Sequence, residues 1–141
     1  MIILDTNVVS ALMREIPERT LVSWLDQQPR SSIWTTSITV MEIQFGLQIL
    51  PVGHRRELMT KSFEVMMERK IEERIASFDR AAAGCAAELM ASRRNKGRPV
   101  ELKDTMIAGI VLSTNAVLAT KNIAHFSDLG SRVIDPWIQP G

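Results

Sequence analysis

The chain of 141 residues has one cysteine, Cys85, and no tyrosine. A lone thiol excludes a disulfide framework, and with it the disulfide-dense class of small secreted domains. Aromatic residues make up 5% of the chain, too few for the base-stacking platforms of single-strand-binding proteins. Lys and Arg number 17 against 16 Asp and Glu, a net charge of +1. That excludes a strongly basic nucleic-acid coat and leaves room for a local basic patch. There is no run of the roughly 18 uncharged apolar residues that a transmembrane helix requires. Met1-Ile2-Ile3-Leu4-Asp5 lacks the basic start and long apolar stretch of a signal peptide. The expected location is a reducing cytoplasm, away from any membrane. What remains, 45% hydrophobic and 23% charged residues, is the balance of a globular protein, and the length suits one domain over residues 1–141.

No repeat, low-complexity tract or linker divides the chain. Ile2-Ile3-Leu4 is a short apolar run that stops at Asp5 and reads as a buried strand. Residues 8–13 and 18–27 read as helices, the second with Leu21, Val22, Trp24 and Leu25 as its apolar face. Residues 32–36 are β-rich, and a helix is expected from Thr39 to Leu50, halted by Pro51. A third amphipathic helix covers 55–70, with Leu58, Met59, Phe63, Met66 and Met67 as its stripe, and 74–78 suit a short strand. Asp79 is a suitable cap for a helix over 80–95, and Gly97 a suitable stop. A helix over 102–115 then leads into strand Val117-Leu118-Ala119, and Val133-Ile134 makes a last strand. Strands separated by helices imply right-handed crossovers, so the expected fold is a three-layer α/β/α domain with a short, mainly parallel central sheet.

Three carboxylates stand apart from the acids scattered over helix faces. Asp5 ends the first strand, Glu42 lies near the start of the helix after the second, and Asp104 near the start of the helix before Val117. In an open parallel sheet, ligand sites gather outside the carboxyl ends of the strands. Acids brought together there repel one another unless a cation sits among them. Hard oxygen donors select Mg²⁺ or Mn²⁺ over zinc, and no His/Cys set with zinc spacing exists in the sequence. A divalent ion so held keeps several waters, one of which can attack a phosphodiester. Each acid also has a local reading. Asp5 suits a helix cap, Thr39-Val40-Met41-Glu42 fits a capping box, and Asp104 complements a helix dipole.

With these residues in view, the chain resembles the PIN-domain ribonucleases, and within them the VapC and FitB-type toxins of bacterial toxin–antitoxin modules. Ile3-Leu4-Asp5-Thr6-Asn7-Val8 is similar to the family's opening motif, and Thr36 through Ile43, carrying Glu42, to its second. Asp104-Thr105-Met106-Ile107-Ala108 is similar to the third motif, Thr120-Lys121-Asn122 with Phe126 to the fourth, and Asp135-Pro136-Trp137 to a C-terminal Asn-Pro-Trp. The resemblance implies a Mg²⁺-dependent endoribonuclease, a homodimer inhibited by a small DNA-binding antitoxin. It implies that Asp5, Glu42 and Asp104 are the catalytic, metal-holding acids, and that Thr6, Asn7, Thr120 and Asn122 orient them. Many relatives carry a fourth acid in the fourth motif, where this chain has Asn122 and His125. His125 reads as a surface histidine with no visible partner, its other reading being a proton donor to the leaving oxygen.

RNA needs a cationic track, since phosphate neutralisation dominates its affinity. Arg93, Arg94, Lys96 and Arg98, with Lys121, are the candidates; a solvated helix end explains the first four equally well. The apolar faces at 18–27 and 39–50, plus the methionine-rich stripe at 58–67, exceed what one small sheet covers and also point to a dimer. Two other functions compete. A catalytically weakened PIN fold would act as a binding module. A phospho-accepting signalling domain leaves Glu42 and Asp104 unused and lacks an acceptor Asp after strand two, where Thr36-Ser37 stand.

Overall fold

The computed structural model describes residues 1–99 and 101–138. Ile2–Leu4 is strand β1, Thr6–Leu12 helix α1, Arg19–Asp26 α2, Ile33–Thr36 β2 and Ser37–Gln48 α3. His54–Val65 is α4, prolonged by a wide helical turn over Met66–Lys70, and Ile75–Ala76 is β3. Arg80–Asn95 is α5, Leu102–Thr114 α6 and Val117–Ala119 β4; a 3-10 stretch over Ile123–Arg132 then leads into β5, Val133–Ile134.

The five strands run in the order β3-β2-β1-β4-β5, every pair parallel. Alternation of side chains along the strands divides them between two cores. Leu4, Ile33, Ile75, Ala119 and Ile134 face one side, where Val8, Leu21, Trp24, Leu25, Ile43 and Phe63 of α1 to α4 cover them. Ile3, Trp34, Ala76, Leu118 and Val133 face the other, under Ala82 and Ala86 of α5, Ile107, Ile110 and Val111 of α6, and Phe126. This is the expected three-layer α/β/α arrangement. Ile3, Leu4, Ile107, Ile110 and Leu118 are fully buried, and each such side chain contributes roughly 1.5–3 kcal/mol.

The helices end where local chemistry ends them. The Asp79 carboxylate accepts from the Ala82 N–H at 2.9 Å to start α5, and Gly97, at φ +67°, turns the chain out of it. Against α6, α5 packs so closely that a Cβ on Gly109 would lie 2.5 Å from the Ala82 carbonyl oxygen. Only glycine fits there. Among the described residues, no helix is long and apolar enough to cross a membrane.

Several local expectations are corrected. Helix α3 begins at Ser37, because Thr36 leaves β2 with extended backbone and its hydroxyl accepts from the Thr39 N–H. Thr39 is therefore no cap, and Glu42 falls in the second turn, outside any capping box. The 123–132 stretch, unassigned in the sequence, is helical in short pieces, broken at Phe126 and at Gly130. The apolar faces thought to need a dimer partner are largely used within the chain: Leu21, Trp24, Leu25, Ile43, Leu47, Phe63, Met66 and Met67 are all buried. What stays exposed is a narrower stripe of Met41, Phe45 and Ile49 along α3, with Leu58 on α4.

Candidate active site

From the central strand β1 the chain moves one way to β2 and β3, then returns to place β4 and β5 on the other side. The order reverses between β1 and β4, and a crevice opens at the carboxyl ends of strands flanking such a reversal. Asp5 follows β1 and Thr120 follows β4, so both stand at that point. Asp5 continues the ladder, its N–H donating to the Ala119 carbonyl at 3.0 Å.

The Asp5 side chain is 3% exposed and held from three directions. Oδ1 accepts from the Thr6 N–H at 2.8 Å. Oδ2 accepts from the Thr120 hydroxyl at 2.7 Å and from the Asn7 amide at 3.2 Å. None of these donors is charged, and among the described residues no Lys or Arg forms an ion pair with it. Burial pushes the Asp5 carboxyl above the usual carboxylate range. The bonds from Thr120 and Thr6 oppose that rise, and the like charges of Asp104 and Glu42 add to it.

The supporting residues are themselves fully engaged. Having donated to Asp5, the Thr120 hydroxyl accepts from the Asn7 amide at 3.2 Å and the Asn122 N–H at 3.0 Å. The Asn7 side-chain oxygen Oδ1 accepts from the Lys121 N–H at 3.1 Å. Thr6 gives its one hydroxyl proton to Glu42 Oε1 at 3.0 Å. Thr39 Oγ1, 3.0 Å away, is therefore the donor to Thr6, and Thr36 donates in turn to Thr39. A one-way chain of hydroxyls thus ends on Glu42, linking β2, α3 and α1.

Asp104 lies in the first turn of α6. Its chain neighbour Lys103 reaches Glu42 Oε2, and Glu42 Oε1 accepts from Thr6, the residue after Asp5, so the start of α6 meets the same sheet edge, which the sequence left undecided. Asp104 Oδ2 lies 2.9 Å from Nδ1 of His125, whose side chain is 58% exposed. An ionised carboxylate only accepts, so Nδ1 carries the proton in this contact. Glu42 Oε2 lies 3.8 Å from the Lys103 ammonium. His125, read from sequence as unpartnered, thus meets a site carboxylate. The signal for it was its place in the fourth motif, where relatives carry an acid.

Among the described residues, no three His, Cys, Asp or Glu side chains form a closed metal-binding group. The donor set still fits one class of ion. Mg²⁺ keeps several waters and needs one or two carboxylates. Asp5 supplies a buried oxygen donor with no paired cation among the described residues, and the Asp104 and Glu42 carboxylates act on it as like charges.

The proposed cationic track divides. Arg93, expected among the RNA-binding residues, is 3% exposed and grips Asp128 through Nε at 2.8 Å and Nη2 at 2.9 Å. That burial corrects its assignment. Arg94 and Lys96 are exposed at the end of α5. Arg98 lies 3.3 Å from Asp128 and, with Pro99, Asp104 and His125, lines a cleft of about 310 Å³. The Lys121 ammonium sits 4.9 Å from the centroid of the Trp137 ring. Asn122 is exposed and joins the network through its backbone N–H. Among the described residues its side chain makes no hydrogen bond, so the expected orienting role of that side chain is corrected too.

The family model described as PIN domain matches residues 2–130. The plasmid stability protein StbB of Pseudomonas syringae pv. tomato is 35% identical over 137 residues, covering 97% of this chain and 99% of that protein. The VapC ribonuclease Y4jK of Sinorhizobium fredii is 33% identical over 137 residues, covering 97% and 98%. The crystal structure of FitAcB from Neisseria gonorrhoeae superposes with a TM-score of 0.86 at 28% identity, over 97% of this chain and 99% of that one.

Proposed function

Because the chain belongs to the PIN-domain family, we propose that it is a Mg²⁺-dependent endoribonuclease and the toxin of a bacterial toxin–antitoxin module. The observation that carries this reading is the buried Asp5 carboxylate, aligned by neutral donors and left without a cation at the sheet's switch point. Asp5 and Asp104 would hold the ion, Mg²⁺ or Mn²⁺, with Glu42 beside them. When bound, that ion supplies a water of lowered pKa and neutralises charge on the phosphate. Thr120 and Asn7 keep Asp5 Oδ2 aimed, the Thr6 N–H keeps Oδ1, and the Thr6 hydroxyl does the same for Glu42, so these side chains need not reorganise on binding RNA. His125, with its Nδ1 proton held by Asp104, would as the imidazolium give its Nε2 proton to the leaving oxygen, both ring nitrogens being donors only in that form. Arg94, Lys96, Arg98 and Lys121 supply phosphate contacts.

The family resemblance to VapC and FitB-type toxins supports a small DNA-binding antitoxin as partner and a cytoplasmic location. A homodimer is proposed on the same ground, its two-fold contact falling on the exposed Met41, Phe45 and Ile49 stripe. One observation favours a second reading, a weakened fold that only binds. Asp104 and Glu42 already have His125 and Lys103 beside them, which compete with a metal. One assay separates the two. Purified protein is incubated with total cellular RNA in Mg²⁺, Mn²⁺ or EDTA, and new 5′ ends are mapped. The proposal expects discrete ends in metal that vanish in EDTA. No cleavage in either metal rejects it in favour of the binding module.

A further inference from the structure

Among the described residues, Arg93 is the one arginine that the fold buries this deeply, and the proposed reaction does not use it. Its guanidinium reaches three partners on two other elements. Nε and Nη2 fork onto both oxygens of Asp128, at 2.8 and 2.9 Å. Nη1 donates to the Thr105 hydroxyl at 3.0 Å, and Nη2 also donates to the His125 carbonyl at 3.3 Å. Thr105 passes its own proton to the Glu101 carbonyl at 2.8 Å, inside the first turn of α6. These partners bracket Asp104: Thr105 is its neighbour in the chain, and His125 is its side-chain partner.

The bracket has a physical purpose. The 123–132 stretch is broken at Phe126 and Gly130, so no continuous backbone ladder holds His125 in place. A planar fork of fixed N–H directions can hold a carboxylate, a hydroxyl and a carbonyl at once, which an ammonium cannot. We infer that Arg93 is a positioning residue for RNA cleavage. By clamping the start of α6 to the 123–132 stretch, it sets the contact between His125 and Asp104. This inference rests on the reading of Asp104 as part of the active site.

Arg93→Lys keeps the charge and loses the fork. The expected result is a fall in kcat of at least about tenfold with KM within about twofold. A raised KM with unchanged kcat means that Arg93 touches RNA itself, and overturns the inference. In a His125→Ala background the same substitution should lower kcat less than about threefold, because the contact it sets is gone. Full multiplicative loss there signals general loosening and also overturns it. If Arg93→Lys does not fold, the pair Arg93→Met with Asp128→Leu removes both charges of the pair together; a folded double variant with wild-type kcat rejects the proposal. If the native protein cleaves no RNA, the imidazole ¹H–¹⁵N spectrum decides instead. The His125 Nδ1 resonance should move in Arg93→Lys or in the double variant, and an unmoved resonance counts against the clamp whatever the protein's activity.

Discussion

Asp5 and Asp104 bring the same charge to the same sheet edge in opposite settings. Asp5 is buried beneath a backbone N–H, a hydroxyl and an amide, all neutral and all anchored in α1 or just after β4. Asp104 is partly exposed, and its partner is an exposed imidazole on an irregular stretch. Neutral dipoles orient a carboxylate without pairing it to a cation, so the Asp5 half stays aimed. A titratable partner competes with any arriving cation, so the Asp104 half is adjustable and needs restraint from behind. The two halves differ less in their acids than in what holds them.

The harshest way to break the comparison is to neutralise each acid in turn. Asp5→Asn and Asp104→Asn should each lower kcat for RNA cleavage by more than about 100-fold, since residues that merely support metal ligands cost 10–100-fold. Thr120→Val should fall in that lower range, because Asp5 keeps its charge and loses its aim. Steady-state cleavage of one defined RNA measures all three. Wild-type rates in a folded Asp5→Asn variant would remove this site from consideration.

The seam between α5 and α6 tests the Asp104 half alone. Gly109→Ala places a methyl against the Ala82 carbonyl and the Ala86 side chain. Overpacking of this kind costs about 1–3 kcal/mol, a drop of several degrees in melting temperature for a domain of this size. Differential scanning calorimetry reads it. A melting temperature at or above the native value would mean that the helices can separate freely.

Metal should separate the halves more gently. An ion at ten times its Kd raises stability by about 1.4 kcal/mol if it binds only the native state. Asp5 carries a raised pKa, so its ionised form costs stability, and that cost is present once pH rises through the folded value. Asp5→Asn should therefore raise the metal-free melting temperature and abolish the Mg²⁺ response. Asp104→Asn should raise it less, since His125 already sits against that carboxylate. Asn122→Asp should leave the Mg²⁺ response unchanged, because the Asn122 side chain stands outside the network. A stronger response in Asn122→Asp would show that position 122 faces the ion after all.

The smallest effect concerns acid. The Arg93 guanidinium holds the Asp128 carboxyl below its ordinary value of 3.8. A lowered folded pKa contributes stability above the unfolded value and loses it as pH falls through the folded one. Asp128→Asn should thus cost stability at neutral pH and flatten the loss on acidification below about pH 4. Urea midpoints at a series of pH values check the sign. An unchanged slope would mean that the pair is broken in solution.

Much of this was legible beforehand, for identifiable reasons. Ile2-Ile3-Leu4 and Val117-Leu118-Ala119 are short apolar runs between helical periodicities, so parallel strands followed from pattern alone. Asp79 and Gly97 announced the ends of α5 by their own backbone chemistry. Thr39 misled because Thr36 competes for the same cap, and only the path of β2 decides which threonine leaves the strand in extended form. Arg93 misled because a basic cluster at a helix end looks the same whether solvated or buried.

The sequence by itself determined which residues are acids at strand and helix ends, and that the chain alternates strand and helix, because those are properties of neighbours along the chain. Only the tertiary structure decided that His125 meets Asp104, 21 residues away, that Thr6 serves Glu42, 36 residues away, and that Thr120 serves Asp5, 115 residues away. Hydrogen bonds reach about 3 Å, and no local pattern encodes which distant segments the sheet order brings within that distance.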